Sequence, residues 1–294
     1  LNPMEMVEGL RGKRLMFVGD SINRNQWESL ICILSTVVPP TRKYFGRPAD
    51  GATSFVVKDY NFSVEFYWAP FLVEQGSIKS GNGSKEVLKL NAIEKHGVYW
   101  RDVDLLVFNT GHWWTHGNKV QLKDYFMEGD YLYPELDPLI AMNKGLTTWA
   151  NWIDHNIDPA KTKVFFRGFS PHHFSSKQWN EPKGHKCNFE TKPIFNESYI
   201  DPYPERMIMV EKVLAKMKFP ISLMNITRLS DFRKDAHPSV NTLRKRKKLT
   251  PEQRNNPDLY GDCSHWCLPG LPDIWNELLY GSLLMNGLFV STSN

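Results

Sequence analysis

The chain has 294 residues, of which 41% are hydrophobic and 23% charged, an ordinary composition for a globular protein. Its formal net charge of +4 is too small to indicate a nucleic-acid-binding protein, so we expect no nucleic-acid partner. No apolar run approaches the roughly 18 residues that a transmembrane helix requires. These properties favour one large globular domain over residues 1–294.

The first predicted strand leads into the most informative turn of the chain. Residues 15–18 are all apolar and predict a short buried strand, which Gly19 ends because glycine tolerates a tight turn. Apolar residues at helical spacing follow over residues 22–36. Asp20 and Ser21 therefore lie at a strand-to-helix junction, where open α/β proteins bind their ligands. Ser21 is a candidate nucleophile there, and the alternative is that Asp20 or Ser21 only caps the helix.

The later elements alternate between strands and helices. Residues 55–57 and 62–68 predict a hairpin, and the Gly- and Ser-rich residues 77–84 predict a loop. Further strands are predicted at 103–109, 163–166 and 221–226, with helices at 136–156, 205–218 and 272–285. This alternation predicts an α/β three-layer sandwich with a mostly parallel central sheet, accompanied by a smaller loop-rich lobe.

Two further strand ends carry polar residues that are typical of a site. Asn109 ends the predicted strand at 103–109, and a side-chain amide there is a usual oxyanion donor, although an ordinary Asx turn is the alternative. His112 and Trp113 come next, and Arg167 and His173 follow the predicted strand at 163–166. We expect these four to face the substrate or support the site, while a structural role for the histidines stays open.

A short motif near the carboxyl end supplies the remaining groups for nucleophilic catalysis. Asp262 and His265 are three residues apart, close enough for a carboxylate–imidazole hydrogen bond. Such a pair activates serine in a triad, so it is a candidate partner for Ser21. Two alternatives are that His265 only supports a disulfide-rich loop and that His237 is the base.

Two other patterns favour no special chemistry. Cys263, His265 and Cys267 offer zinc-ligand atoms, but no second matching pair occurs, so we expect no metal site. The basic run at residues 244–248 favours a solvated loop over a contact with an acidic polymer.

The sequence also carries features of secreted proteins. Glycosylation sequons begin at Asn61, Asn82, Asn196 and Asn225, and the cysteine count is even, at four. Together they favour a secretory compartment. Asn225 lies within an apolar run, so we expect it to be buried and unmodified.

Three long motifs resemble a known family. They are Gly19 to Gln26 (GDSINRNQ), Phe108 to Trp114 (FNTGHWW) and Asp262 to Glu277 (DCSHWCLPGLPDIWNE). They resemble the trichome birefringence-like (DUF231/PC-esterase) family of plant polysaccharide O-acetyltransferases, within the SGNH/GDSL-like superfamily. Members usually carry a transmembrane anchor, a stem and a Cys-containing segment before the position of Leu1, and this sequence contains none of them.

The resemblance implies roles for several residues. Ser21 would be the nucleophile, His265 the base and Asp262 its orienting carboxylate, with the Ser21 backbone N–H and Asn109 as oxyanion donors. Arg24 would brace the site.

The resemblance also implies an activity. An acetyl group would pass through an acetyl-serine to a hydroxyl of xylan, mannan, xyloglucan or pectin. The donor would be acetyl-CoA or a derivative, and no cofactor would stay bound. The full-length protein would be a single-pass type II protein of the Golgi lumen. The alternatives are an acetylesterase with the same triad and a carbohydrate-binding protein with an inactive site, against which the intact triad argues.

The cysteines allow one disulfide prediction within this chain. A bridge between Cys263 and Cys267 would strain the loop that holds His265. Cys187 lies in the loop after the predicted strand at 163–166, on the side expected to face the cleft, so we predict a Cys187–Cys263 disulfide. Cys32 and Cys267 would then be unpaired here and bond to cysteines of the family's N-terminal segment.

Overall fold

The computed structural model describes residues 1–47, 51–81, 83–115, 125–181, 185–244 and 247–289. The helices within these ranges are α1 (Pro3–Gly9), α2 (Ser21–Ser35), α3 (His112–Thr115), α4 (Pro138–Asn156), α5 (Glu205–Leu214), α6 (Thr227–Asp231), α7 (Pro251–Arg254), α8 (Pro257–Tyr260) and α9 (Leu271–Met285). The strands are β1 (Arg14–Gly19), β2 (Lys43–Gly46), β3 (Thr53–Val57), β4 (Phe62–Trp68), β5 (Val73–Ser80), β6 (Gly83–Ile93), β7 (Leu105–Phe108), β8 (Tyr125–Glu128), β9 (Tyr131–Tyr133), β10 (Lys163–Arg167), β11 (Ile221–Met224), β12 (Leu243–Arg244) and β13 (Lys247–Lys248).

A seven-stranded sheet forms the centre of the molecule, in the order β11-β10-β7-β1-β4-β3-β2. The five strands from β11 to β4 are parallel, and β3 and β2 extend the sheet antiparallel. The predicted hairpin is confirmed as β3–β4. Because the parallel strands all end at one edge, residues that follow β1, β4, β7 and β10 are neighbours there.

Helices cover both faces of this sheet. In β1, Leu15 and Phe17 pack into one core with residues of α1, α2 and α9. Met16 and Val18 point to the other face and pack into a second core with residues of α4 and α5. This alternation is the period-two geometry of a strand that is buried on both sides. The predicted three-layer α/β sandwich is therefore confirmed.

A smaller four-stranded sheet, in the order β5-β6-β8-β9, lies beside α4. The predicted loop at residues 77–84 is wrong, because β5 and β6 pair antiparallel from Glu74↔Lys89 to Ser80↔Gly83. Backbone hydrogen bonds hold this hairpin, so its Gly- and Ser-rich tip needs no apolar alternation. The buried Val87, Leu88 and Leu90 anchor the hairpin against the rest of the domain. The smaller lobe is thus partly sheet.

The ends of the chain and its basic region add short elements. Pro3–Gly9 form α1, which the sequence did not predict and which the Asn2 side chain caps. Residues 233–260 are mainly irregular, with α7, α8 and the β12–β13 hairpin. Lys247 and Lys248 are solvent-exposed, as expected, but they form the short strand β13 and not a loop, while residues 245–246 lie outside the described ranges. No helix in the described part of the chain combines the length and apolar character of a membrane span.

Candidate active site

Ser21 is the first residue of α2, and only Asp20 separates it from the end of β1. The Asp20 side chain caps the helix by accepting the Ile22 backbone N–H at 2.9 Å. Gly19 has φ +154°, and a Cβ there would lie 1.9 Å from Oδ1 of Asn109, so only glycine allows this close approach. The Ser21 backbone N–H has no acceptor among the described residues. Capping by Asp20 and a free N–H at Ser21 therefore coexist.

Ser21, His265 and Asp262 form a continuous line of hydrogen bonds. Nε2 of His265 lies 2.7 Å from Oγ of Ser21, and Nδ1 lies 2.8 Å from Oδ2 of Asp262. Asp262 Oδ1 accepts the backbone N–H groups of Ser264 and His265, both at 3.0 Å. Although burial raises the pKa of Asp262, the bonds from His265 and Ser264 lower it well below its usual range. An ionised Asp262 keeps the proton on Nδ1 of His265 and leaves Nε2 free to accept from Ser21.

The Asn109 side chain bonds reciprocally to Asp20. Its Nδ2 donates to Asp20 Oδ1 at 2.8 Å, and its Oδ1 accepts the Asp20 backbone N–H at 3.1 Å. This links the ends of β7 and β1 and fixes the carboxamide next to Ser21. Asp20 accepts one of the two amide hydrogens of Asn109, so only the second hydrogen can be donated to an oxyanion.

A buried charged cluster lies behind the nucleophile. Oδ2 of Asp20 is 3.7 Å from Nδ1 of His112, and that ring stacks on Phe169 with centroids 4.3 Å apart. Burial raises the pKa of Asp20, but His112, Arg167 and Asn109 together hold it far below its usual range. Burial also lowers the pKa of His112. His112 is therefore packed behind the site and not open to the cleft.

Arg167 has no exposed surface and supports the site from within. Its Nη1 donates to the Gly168 carbonyl at 2.9 Å, and its Nε donates to Asn23 Oδ1 at 3.4 Å. Asn23 in turn donates to the carbonyls of Val18 and Val107, at 3.0 and 2.8 Å. Asn23 was missed as a site residue. The available signal was that Asn23 is a polar residue on the apolar side of a predicted helix.

The loop that carries His265 is fixed from several directions. His173 donates its backbone N–H to the Cys263 carbonyl at 3.0 Å, and Ser239 pairs with Asp262 through two backbone bonds. Asn25, which the sequence reasoning also missed, bonds both backbone groups of Trp266, at 2.8 and 3.2 Å.

His237, the rival base, does not contact Ser21. Its Nδ1 lies 2.7 Å from the backbone carbonyl of His265, and its ring stacks on Trp266 with centroids 4.0 Å apart. The imidazole within hydrogen-bond reach of Ser21 belongs to His265.

Two aromatic residues lie at the carboxyl edge on the β4 side. Trp113 packs edge-on against Trp68, with ring centroids 5.2 Å apart. Trp68 pairs in register with Gly19 and is 41% exposed, and it was also missed. Its position as the last residue of an alternating strand was the available signal.

A cleft of about 480 Å³ is lined in part by Asp262 and His265. Its apolar and aromatic lining includes Phe174, Leu243, Leu259 and Tyr260. Arg24 lies on the exposed side of α2 and pairs with Glu28 at 3.4 Å. Burial raises the pKa of Glu28, although the charges of Arg24 and His265 act to lower it.

The cysteines are placed as predicted. Cys187 and Cys263 form a disulfide, with Cα atoms 5.6 Å apart, and Cys32 and Cys267 are unpaired and exposed. Because Cys263 is oxidised, it offers no thiolate to a metal.

Three of the four sequons lie in the described residues, and Asn82 lies outside them. Asn61, Asn196 and Asn225 are all exposed. The expected burial of Asn225 is wrong, because its position after β11 turns the side chain outward to donate to Tyr203.

Glu181, His185 and Glu190 place ligand atoms within 4.8 Å of one another. Glu190 already accepts from Trp179, His185 and Lys234, so protein donors satisfy its carboxylate.

Comparisons with known proteins identify the family of the chain. The model of the PC-Esterase family, a GDSL/SGNH-like acyl-esterase family found in Pmr5 and Cas1p, matches residues 1–282. Protein trichome birefringence-like 1 of Arabidopsis thaliana is 49% identical over 292 residues, which are 97% of this chain and 52% of that protein. Protein trichome birefringence of Arabidopsis thaliana is also 49% identical over 292 residues, 97% of this chain and 47% of that protein. Xylan O-acetyltransferase 6 of Oryza sativa subsp. japonica is 45% identical over 287 residues, 95% of this chain and 51% of that protein.

The chain spans about half the length of these curated relatives. The family match nevertheless covers almost all of the chain and includes the three motifs from which the resemblance was drawn. That resemblance is confirmed, and the chain belongs to the PC-Esterase family of GDSL/SGNH-like acyl-esterases.

Proposed function

We propose that this chain is the catalytic domain of a polysaccharide O-acetyltransferase with Ser21 as nucleophile. The observation that carries the proposal is the unbroken line from Ser21 through His265 to Asp262, with contacts of 2.7 and 2.8 Å. This geometry allows proton transfer from Oγ to Nε2 while Asp262 stabilises the imidazolium that forms.

The reaction has two half-reactions. In the first, His265 takes the Ser21 proton, Oγ attacks the acetyl carbonyl, and the donor leaves with that proton. In the second, His265 takes the proton of a sugar hydroxyl, whose oxygen attacks the acetyl-serine; the bond to Oγ breaks, and Ser21 takes the proton back from His265. The Ser21 backbone N–H, unpaired at the start of α2, is one donor to the oxyanion, and Asn109 is the second.

The acceptor is a plant cell-wall polysaccharide of the xylan, mannan, xyloglucan or pectin classes. Support comes from the names of two rice relatives, which specify xylan, and from the surface around Ser21. Trp68 presents an exposed aromatic side chain beside Gly19, and Tyr260 lines the cleft on the His265 side. Aromatic faces suit the apolar faces of sugar rings. An acceptor chain that spans both would pass over the triad.

The donor, the compartment and the anchor are also part of the proposal. Acetyl-CoA or a derivative would be a co-substrate, with no resident cofactor. The full-length protein would be a type II protein of the Golgi lumen, anchored by an N-terminal segment outside this sequence. The Cys187–Cys263 disulfide and the exposed sequon asparagines support an oxidising compartment.

An acetylesterase is the second candidate, favoured by the acyl-esterase description of the family. It shares the acetyl-serine, so the two functions differ only in whether water or a sugar hydroxyl attacks it.

Time-resolved mass spectrometry of the intact protein tests the proposal. Acetyl donor alone should add one acetyl group to Ser21, and deacetylated xylo-oligosaccharide should remove it and become acetylated. Free acetate released at the same rate with and without oligosaccharide would identify an esterase. A protein that never carries the acetyl group on Ser21 would contradict both candidates.

The Trp68→Ala variant tests whether Trp68 contacts the acceptor, and the Tyr44→Ala variant is its matched control. Tyr44 is likewise a half-exposed aromatic residue, but it lies on the edge strand β2. Trp68→Ala should raise KM for the oligosaccharide, and Tyr44→Ala should not change it.

A further inference from the structure

His173 and His237 form a buried chain of hydrogen bonds that ends at the catalytic loop. Nδ1 of His173 lies 2.7 Å from Nε2 of His237. The outer nitrogens each face a backbone carbonyl: His237 Nδ1 is 2.7 Å from the His265 oxygen, and His173 Nε2 is 2.9 Å from the Asp231 oxygen. The two rings therefore connect α6 to the backbone of the residue that contacts Ser21.

The protonation of this pair is restricted by its surroundings. Burial lowers the pKa of His173 to about 4 and that of His237 to about 3, so both rings are neutral at neutral pH. A neutral imidazole has one N–H, and a carbonyl oxygen only accepts. Two neutral rings can therefore satisfy their mutual contact and only one of the two carbonyls.

The shorter outer contact decides between the two arrangements. If both rings carried the proton on Nε2, a bare Nδ1 of His237 would face the His265 oxygen at 2.7 Å. If both carry it on Nδ1, His173 donates to His237 and His237 donates to His265, while the bare nitrogen faces the more distant Asp231 oxygen. The second arrangement avoids the closer repulsion between lone pairs.

The loop from Asp262 to Cys267 has little regular structure, so the hydrogen bond from His237 to the His265 carbonyl is important for its position. It contains no helix and only one isolated bridge, at Asp262. Within the described contacts, the His265 carbonyl is held by His237. A shift of about 1 Å at a catalytic group can lower the rate about 100-fold.

We propose that His237 is a positioning residue of the triad and that His173 sets its tautomer. The Nδ1–H of His237 holds the His265 carbonyl, and this directs the His265 imidazole at Ser21. His173 donates to Nε2 of His237 and so keeps its proton on Nδ1, much as Asp262 does for His265. This inference rests on the proposed function.

Asparagine and glutamine variants test the proposal. The amide nitrogen of Asn occupies the place of Nδ1 and that of Gln the place of Nε2, so only Asn retains the required donor at either position. We expect His237→Gln and His173→Gln to lower kcat about 10- to 100-fold with KM changed less than about threefold. His237→Asn and His173→Asn should recover most of kcat.

If the two histidine rings only filled space, the Gln variants would be more active than the Asn variants, because Gln replaces more of the imidazole volume than Asn. Gln variants that are as active as, or more active than, the Asn variants would overturn the proposal. Thermal unfolding of all four variants identifies any that do not fold. The Ser21→Ala variant distinguishes failure of the proposed function from failure of this inference. If Ser21 is not the nucleophile, the Ser21→Ala variant keeps the wild-type rate.

Nitrogen NMR of the ¹⁵N-histidine-labelled wild-type protein gives a readout that needs no activity. His237→Asn and His173→Asn spectra assign the two rings. At neutral pH, an N–H on Nδ1 of both residues is expected. A bare Nδ1 on His237 would overturn the proposal even if the acetyltransferase activity is confirmed.

Discussion

Ser21 lies where a buried strand meets a long helix, whereas His265 lies in the irregular loop between α8 and α9. The first position follows from neighbours in sequence: β1 ends at Gly19, Asp20 caps α2, and Ser21 is its first residue. The second depends on distant groups, namely Cys187, the backbone of His173 and Asn25 of α2.

The two kinds of support have different consequences. A residue at a strand–helix junction keeps its place as long as the two elements pack, because the ladders of β1 with β4 and β7 and the helical bonds of α2 hold the backbone on both sides of it. A loop residue held by side chains from elsewhere loses its position when any one of them is removed. We therefore expect changes far from Ser21 in sequence to affect His265 more than they affect Ser21.

Ser21→Ala should have the largest effect. Removing a triad nucleophile costs about 10⁴-fold or more in rate, and the short side chain leaves β1 and α2 unchanged, so the melting temperature should stay close to wild type. Initial rates of acetyl transfer and thermal unfolding measure both. A folded variant with near-normal rate would show that Ser21 is not the nucleophile.

His265→Ala should be about as damaging, and the Ser21→Ala/His265→Ala double variant should be little worse than either. Triad members act as a unit, so their losses do not add. The same rate assay tests this, with His237→Ala as comparison. If His237→Ala inactivated the enzyme and His265→Ala were mild, the choice of His265 as base would be wrong.

Loss of the disulfide removes one of the distant supports of the His265 loop, and its effect is expected in the free energy of unfolding. Cys187 and Cys263 are 76 residues apart, so Cys187→Ser should lower the free energy of unfolding by about 4 kcal/mol in the chain-entropy model. Cys32→Ser is the matched control, because Cys32 is exposed and unpaired; it should change stability by less than about 0.5 kcal/mol. Urea unfolding without reductant measures both, and equal effects would refute the assignment.

A smaller effect is expected from Asp231, beside the His173 ring. Burial and the nearby Asp201 raise the pKa of its carboxyl from 3.8 to about 7, so the folded state holds a proton that the unfolded state releases. Its contribution to stability therefore falls as pH rises from about 4 to 7.

Asp231→Asn should remove this dependence and stabilise the protein at pH 8 by roughly 2–4 kcal/mol. Urea unfolding of variant and wild type across pH 4–8 provides the measurement. Parallel stability profiles would contradict the expectation.

Several features could be predicted from the sequence because they depend on near neighbours. The apolar run before Gly19 and the spacing of apolar residues in α2 and α4 were predicted and confirmed. The pairing of Cys187 with Cys263 was also predicted and confirmed, but it was inferred from the expected fold, because the two residues are 76 positions apart. Helical spacing, caps and glycine turns are set by residues within a few positions of one another, so they can be read directly.

Other features were decided only by tertiary structure. The β5–β6 hairpin forms from a Gly- and Ser-rich stretch because its backbone pairs and its base packs on the domain. The 2.7 Å contact between Ser21 and His265 joins residues 244 positions apart. The contact of His237 with the His265 carbonyl also joins residues that are distant in sequence. Such distances depend on how strands, helices and loops pack together, and no local pattern of residues encodes them.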